Sequence, residues 1–168
     1  MAIYRPYICS VIKNLGVENA EIDDLMQAVF ITCWEKLPEF EYDPQQGKFR
    51  YWLCRITTWT CNNHLRKSVR RSRILADDFD YDNEALTPEI EEIVDSEWKT
   101  FISNKAWENV RETLSGKMLQ TYVKFLKNES LEDIAQDLSI TRNTVQVYCG
   151  RVEKRIIAEI QMLKVELG

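Results

Sequence analysis

SLEDIAQDLSITRNTVQVYCGRVEKRII, residues Ser130 to Ile157, meets the requirements of a helix-turn-helix at several independent positions. Two helices that cross closely need a small residue at the crossing, and Ala135 supplies it. They need apolar residues around the turn, here Ile134, Leu138 and Ile140, and a branched residue inside the second helix, here Val145. Val152 and Ile156 extend the inner stripe. Ser130 with Asp133 makes a capping-box-like start, and Thr141 is placed to cap the second helix. Ser139 stands in the turn where glycine is common, which implies either a left-handed serine or a slightly different turn.

The outward residues of that second helix are Arg142, Asn143, Gln146, Arg151 and Lys154, with Thr141 at its start. Arg, Asn and Gln are the side chains that pair bidentately with guanine and adenine in the major groove. Gly150 falls mid-helix, at a cost of about 1 kcal/mol relative to alanine, and could permit a close backbone approach. The competing reading is a generic helical hairpin with a solvated polar face.

Working toward the N-terminus, helical periodicity continues and no sustained period-two alternation occurs. Ile3, Tyr4, Tyr7, Ile8, Val11, Ile12 and Leu15 form one apolar stripe, and Gly16 is placed to end it. Asn19 is expected to cap a second helix with Asp23 and Asp24 near its positive end. Its inner face should carry Ile22, Leu25, Met26, Val29, Phe30, Cys33, Trp34 and Leu37, and Pro38 stops it. A polar loop with Pro44 and Gly47 leads to a third helix. After residue 87, Thr87-Pro88-Glu89-Ile90 reads as a helix start. Ser103-Asn104 is a candidate interruption, and Ser115 a candidate cap for the next helix. The fold class is therefore all-α. Two small helical domains, 1–76 and 88–168, are joined by an acidic linker over 77–87, and the C-terminal one carries the helix-turn-helix.

The third helix opens FRYWLCRITTWTCNNHLRKSVRRSR, Phe49 to Arg73. Aromatic residues (Phe49, Tyr51, Trp52, Trp59) come first; then Arg66, Lys67, Arg70, Arg71 and Arg73 follow with no acid among them. Rings beside a phosphate-binding patch can hold unstacked bases, at roughly 1–3 kcal/mol per stacked base. A buried aromatic stripe with a solvated basic end is the alternative. Phe49, Trp52, Leu53, Ile56, Trp59 and Thr60 are expected on the inner side, and Trp59 is open to both readings.

The totals exclude several classes. The chain has 168 residues with net charge -5, which first argues against nucleic acid. Residues 77–97 carry ten acids and no base, and the remaining 22 basic and 17 acidic residues give +5. No run of about 18 apolar residues exists, so no membrane insertion is expected. MAIYRPYICSVIKN does not read as a signal peptide. Five scattered cysteines and a single histidine, His64, leave no metal-site spacing, so neither metal nor cofactor is expected, and a reduced, cytoplasmic protein fits best.

Taken together, the two constellations resemble the extracytoplasmic-function (group IV) sigma factors of the main bacterial sigma family, over nearly the whole chain. Asp23-Asp24-Leu25-Met26-Gln27-Ala28-Val29-Phe30 with Trp34 is similar to that family's clamp-binding helix, with Ala28 where glutamate is usual. The resemblance implies core-polymerase contacts at Asp24, Gln27, Thr32 and Glu35. Phe49 to Ile56 is similar to the helix that helps melt the minus-ten element, and the loop Phe40–Lys48 to the loop that captures a flipped base. The resemblance thus implies minus-ten-side DNA contacts at Tyr42, Gln46, Lys48, Tyr51, Asn62, Asn63, Arg66, Arg70, Arg71 and Arg73. It implies minus-thirty-five contacts at Thr141, Arg142, Asn143, Gln146, Arg151 and Lys154. Gln146, Val147 and Tyr148 replace residues that are often Lys, Ser and Arg, so this recognition helix is less basic than usual.

The implied partners are core RNA polymerase (clamp helices and flap), promoter DNA and, as a further class, an anti-sigma factor. The acidic linker has two readings, a strand-like occupant of a nucleic-acid channel or a solubilising spacer. The implied role is promoter selection and assistance in promoter opening, with no bond chemistry of its own, so the chain is not an enzyme. The alternative is a stand-alone helix-turn-helix transcription regulator, which should bind duplex DNA without polymerase. A nuclease using Asp23, Asp24 and the linker acids is a third class, but solvated acids are ordinary at a helix start and in a tether.

Overall fold

The computed structural model describes residues 2–40, 49–69 and 86–167, and every regular element among them is helical. Seven α-helices occur there: α1 (Arg5–Asn14), α2 (Ile22–Lys36), α3 (Phe49–Val69), α4 (Pro88–Arg111), α5 (Gly116–Leu126), α6 (Leu131–Asp137) and α7 (Arg142–Glu166). The all-α expectation holds for these residues. The linker residues 77–85 and most of the loop 40–48 lie outside them.

The chain divides into two compact units, residues 1–101 and 102–167, and the division falls inside α4. The boundary expected at residue 88 therefore differs from the packing boundary. Val94, Trp98 and Phe101 are buried, and their partners include Tyr4 and Tyr7 of the N-terminal segment. Nor does Ser103-Asn104 interrupt the helix, because Ile102, Ala106 and Val110 keep the buried stripe in register.

In the first unit, α1 buries Tyr7, Ile8, Val11 and Ile12 and ends at a left-handed Gly16 (φ 80°), as its position suggested. A 3-10 turn over Asn19–Glu21 leads into α2, and no side-chain cap bond is made there. Asn19 is thus inside a turn rather than capping a helix; Asp23 and Asp24 supply the negative charge in the first turn. α3 packs on both α1 and α2. It buries Leu53, Cys54, Ile56, Thr57, Thr58, Thr60 and Cys61. The Thr57 and Thr60 hydroxyls donate to Leu53 O and Ile56 O (both 2.8 Å), which satisfies them within the helix.

α2 differs from expectation at two residues: Leu37 is 39 % exposed and belongs to the 3-10 turn Leu37–Glu39 that follows the helix, and Trp34 lies on the outer face. Trp34 is 76 % exposed, so it belongs to the outer face rather than the buried stripe. Ile22, Leu25, Met26, Val29 and Cys33 already complete the inner face, and Trp34 falls outside that arc.

The second unit is built around Val110, Tyr122, Ile134, Val145, Cys149 and Val152, with Trp107, Leu114, Ala135, Leu138, Ile140 and Ile156 packed against them. Both expected caps of the helix-turn-helix form. Asp133 N–H donates to Ser130 Oγ (3.1 Å) and Thr144 N–H to Thr141 Oγ1 (3.1 Å). Ser139 is left-handed (φ 50°), which resolves its two readings. Ser115 stands at the N-cap of α5 without a side-chain cap bond. Lys124 joins α5 to the following elements through Asp137 (2.6 Å) and Glu129 (2.9 Å).

Gly150 has nothing within 4 Å of the point where a Cβ would stand, so no part of the described chain approaches it. Gly150→Ala should therefore raise unfolding free energy by about 1 kcal/mol, through helix propensity alone. Urea titration monitored by circular dichroism checks this; an unchanged or lower midpoint contradicts it.

Candidate functional site

Three surfaces carry the residues singled out in the sequence. The first is the outer face of α7. Thr141, Arg142, Asn143, Gln146, Arg151 and Lys154 are all exposed, while Val145, Cys149 and Val152 point into the core. At about 3.6 residues per turn, Asn143, Gln146, Gly150 and Lys154 share one stripe, with Arg151 at its edge. Two of the six are partly occupied. The Thr141 side chain caps the helix, and Arg142 Nε pairs with Glu132 Oε1 of α6 at 2.8 Å. Both partners of that pair are well exposed (61 % and 64 %), so water and dissolved ions can compete for it.

The second surface is the outer face of α3. Tyr51, Trp52, Arg55, Trp59, Asn62, Asn63 and Arg66 fall on the arc opposite the buried residues Leu53, Ile56, Thr57 and Thr60. Tyr51, Arg55, Trp59, Asn62 and Asn63 are half-buried and Arg66 is exposed. Trp59, open to both readings, is half-buried on this arc with its indole Nε1 enclosed. Trp52 belongs to an aromatic cluster, its ring centroid 4.8 Å from Phe40 and 5.3 Å from Phe49. Arg55 was not singled out in the sequence, although the 3.6-residue step from Tyr51 to Asn62 passes through it. His64 Nε2 meets Glu21 Oε1 at 3.0 Å, tying α3 to the turn before α2. Tyr42, Gln46, Lys48, Arg70, Arg71 and Arg73 lie outside the described residues.

The third surface is the outer face of α2. Asp24, Gln27, Ile31, Trp34 and Glu35 are exposed and share one stripe. Ile31 and Trp34 put apolar area between the polar groups, a composition suited to a protein partner. Ile31 was missed in the sequence; plotting Asp24, Gln27 and Glu35 on a helical wheel would have placed it at their centre. Thr32 is set to one side, and its hydroxyl donates to Ala28 O (3.0 Å).

Tyr51 does not point freely to solvent. Its hydroxyl donates to Asp95 Oδ1 (3.1 Å) and accepts from Arg50 Nη2 (3.0 Å), which itself donates to the same Asp95 oxygen (2.9 Å).

No described residues group as three or more His, Cys, Asp or Glu able to hold a metal ion, and Asp23 is paired with Arg5 (3.2 Å). No described helix is long and apolar enough to cross a membrane. The five cysteines are all free thiols. Burial pushes Cys33 and Cys54 up to about 12 and Cys61 up to about 11. Burial also raises the Tyr7 phenol, whose oxygen lies 3.0 Å from Cys54 Sγ.

Residues 1–71 match the family Sigma-70 region 2, a span that contains α1, α2 and α3 with two of the three surfaces. No curated protein matches the chain. One solved structure, "Structure of CnrH in complex with the cytosolic domain of CnrY", is 16 % identical and covers 96 % of this chain and 84 % of its own, with a TM-score of 0.32. A likeness that loose defines no shared arrangement.

The thiols make stability depend on pH in a definite direction. An unfolded cysteine ionises near pH 8.5, whereas folded Cys54 holds its proton to about 12. Between those values the unfolded chain has lost the proton and the folded chain has kept it. Stability is therefore full below about pH 8.5 and should fall by about 1.4 kcal/mol per pH unit for Cys54 as pH rises through that window. Denaturant titrations on the alkaline side check the sign; a flat profile contradicts it.

Proposed function

We propose that this chain is a promoter-specificity subunit of bacterial RNA polymerase, an extracytoplasmic-function sigma factor working in the cytoplasm. The match of residues 1–71 to Sigma-70 region 2 carries the reading. The outer face of α2 meets the polymerase clamp through Asp24, Gln27, Trp34 and Glu35, with Ile31 among them, and Thr32 flanks that face. The outer face of α3 meets the minus-ten element, with Tyr51, Asn62, Asn63 and Arg66 toward the bases and strand. Tyr42, Gln46 and Lys48 of the preceding loop hold a flipped base, and Arg70, Arg71 and Arg73 grip phosphate.

α7 reads the minus-thirty-five element through Asn143, Gln146, Arg151 and Lys154, with Arg142 released from Glu132 and Thr141 at the helix start near phosphate. Each domain alone has modest DNA affinity, and the 77–87 tether makes the second contact intramolecular. Flipping a base costs a few kcal/mol, which contacts in the loop pocket must offset. An inhibitory anti-sigma protein is the further partner class.

The test is reconstitution. Purified core polymerase with this chain should initiate from a cognate promoter, and neither alone should. Failure to co-purify with core polymerase would sink the reading. Trp34→Ala should weaken polymerase binding by at least about tenfold while leaving thermal stability nearly unchanged, because the ring is mostly exposed. Equal affinity of the variant and the wild type removes α2 from the interface.

The paired substitution of Arg70 and Arg71 by alanine should lower promoter binding. It should also reduce the slope of log affinity against log salt by roughly one to two. An unchanged slope takes those residues off phosphate.

A further inference from the structure

We propose that the first half of α4 is a clasp in cis: Asp95 occupies the Tyr51–Arg50 site as a nucleic-acid phosphate would, and must leave before Tyr51 can reach DNA. The inference rests on α3 being the minus-ten-facing helix, and it adds a regulatory step to that function.

The contact belongs wholly to the first compact unit. One oxygen of Asp95 accepts from both Arg50 Nη2 (2.9 Å) and the Tyr51 hydroxyl (3.1 Å). A single anionic oxygen receiving a guanidinium and a phenol is the pairing that a phosphate oxygen also makes. Arg50 is only 11 % exposed, and its guanidinium lies 4.6 Å from the Tyr51 ring centroid and 5.4 Å from that of Trp98. The cation is therefore enclosed by two rings and one carboxylate, a site shaped for an anion.

The rest of the segment is latched beside this pair. Val94 is fully buried, Trp98 packs edge-on against Tyr7 at 5.3 Å, and Phe101 stacks with Tyr4 at 6.3 Å. Tyr7 donates to Val94 O (3.2 Å), and Asn14 Nδ2 donates to Glu97 Oε1 (3.0 Å). Asp95 itself is 45 % exposed, so water and competing anions can reach it. It also belongs to the base-free acidic run 77–97, in which negative charge is the recurring chemistry. A site closed in this way binds its ligand in proportion to the fraction of molecules that are open.

An ordinary structural ion pair would also produce this geometry, and the two roles differ in one readout. In the full-length chain, Asp95→Asn should raise amide hydrogen exchange over residues 88–101 and leave 22–36 unchanged. It should also tighten binding of a short, mixed-sequence, fluorescein-labelled single-stranded oligonucleotide by roughly tenfold. Adding Tyr51→Phe to Asp95→Asn should return most of that gain.

Faster exchange over 88–101 without tighter oligonucleotide binding overturns the clasp and leaves a structural pair. If Asp95→Asn fails to fold, Glu97→Ala breaks only the exposed bond to Asn14; it should move both readouts in the same direction by less, and no movement overturns the proposal. Co-purification with core polymerase is run on the same proteins. If wild type and variants all co-purify while affinity for the oligonucleotide is unchanged, the clasp alone is wrong. If none co-purifies, the sigma reading fails and the clasp falls with it.

Discussion

The first unit depends on α3 being core and surface at once. Its buried arc, from Leu53 to Cys61, is enclosed by α1 and α2, and the first half of α4 packs beside it through Arg50 and Tyr51. Within this enclosed arc the Thr58 hydroxyl is buried without a hydrogen-bond partner among the described residues, but Thr57 and Thr60 return their hydroxyls to the preceding turn. That frees the opposite arc to carry Tyr51, Arg55, Asn62, Asn63 and Arg66 without loss of the fold. A helix with fewer packed neighbours would hold these side chains less firmly.

The helix-turn-helix solves a different problem with different means. α6 is only seven residues long, too short to persist without help. The Ser130 and Thr141 caps define the starts of both helices, and Ile134, Val145 and Val152 define their crossing. These gains offset the left-handed backbone of Ser139, which costs about 1–2 kcal/mol in a residue with a Cβ. A serine rather than a glycine at that turn limits the chain to fewer unfolded conformations, so part of the strain is recovered in the denatured state.

This contrast explains what could be read in advance. The caps, the turn and the inner stripe of the helix-turn-helix all lie within Ser130 to Ile157 and were legible there, whereas Val110 and Tyr122, which complete its core, lie outside that stretch. The outward side chains of α7 were legible for the same reason, although the Arg142–Glu132 pair was not, because apolar periodicity is silent about ion pairs. Trp34 was misplaced because a large ring reads as core by type, while its angular position put it beside Gln27. Asn19 was misread because a good capping residue is equally at home in a turn. The division of α4 was out of reach: it depends on Asp95 and Trp98 meeting Arg50 and Tyr7, residues far away in sequence, and no local pattern encodes such a pairing.

The aromatic residues of the Phe49–Arg73 stretch show how composition misleads when position is ignored. Phe49 and Trp52 meet Phe40, and Phe49 also meets Tyr4 at 5.4 Å, so these rings cement loop ends to helices. They set where α3 begins and hence where Tyr51, one residue before Trp52, emerges. Packing and recognition are therefore not rival uses of the segment. The Phe49 and Trp52 rings anchor the start of α3, and a shift of the helix by one residue would turn every side chain along it by about 100°. Trp59 is half-buried on that outer arc, whereas Trp52 is committed to its cluster with Phe40 and Phe49.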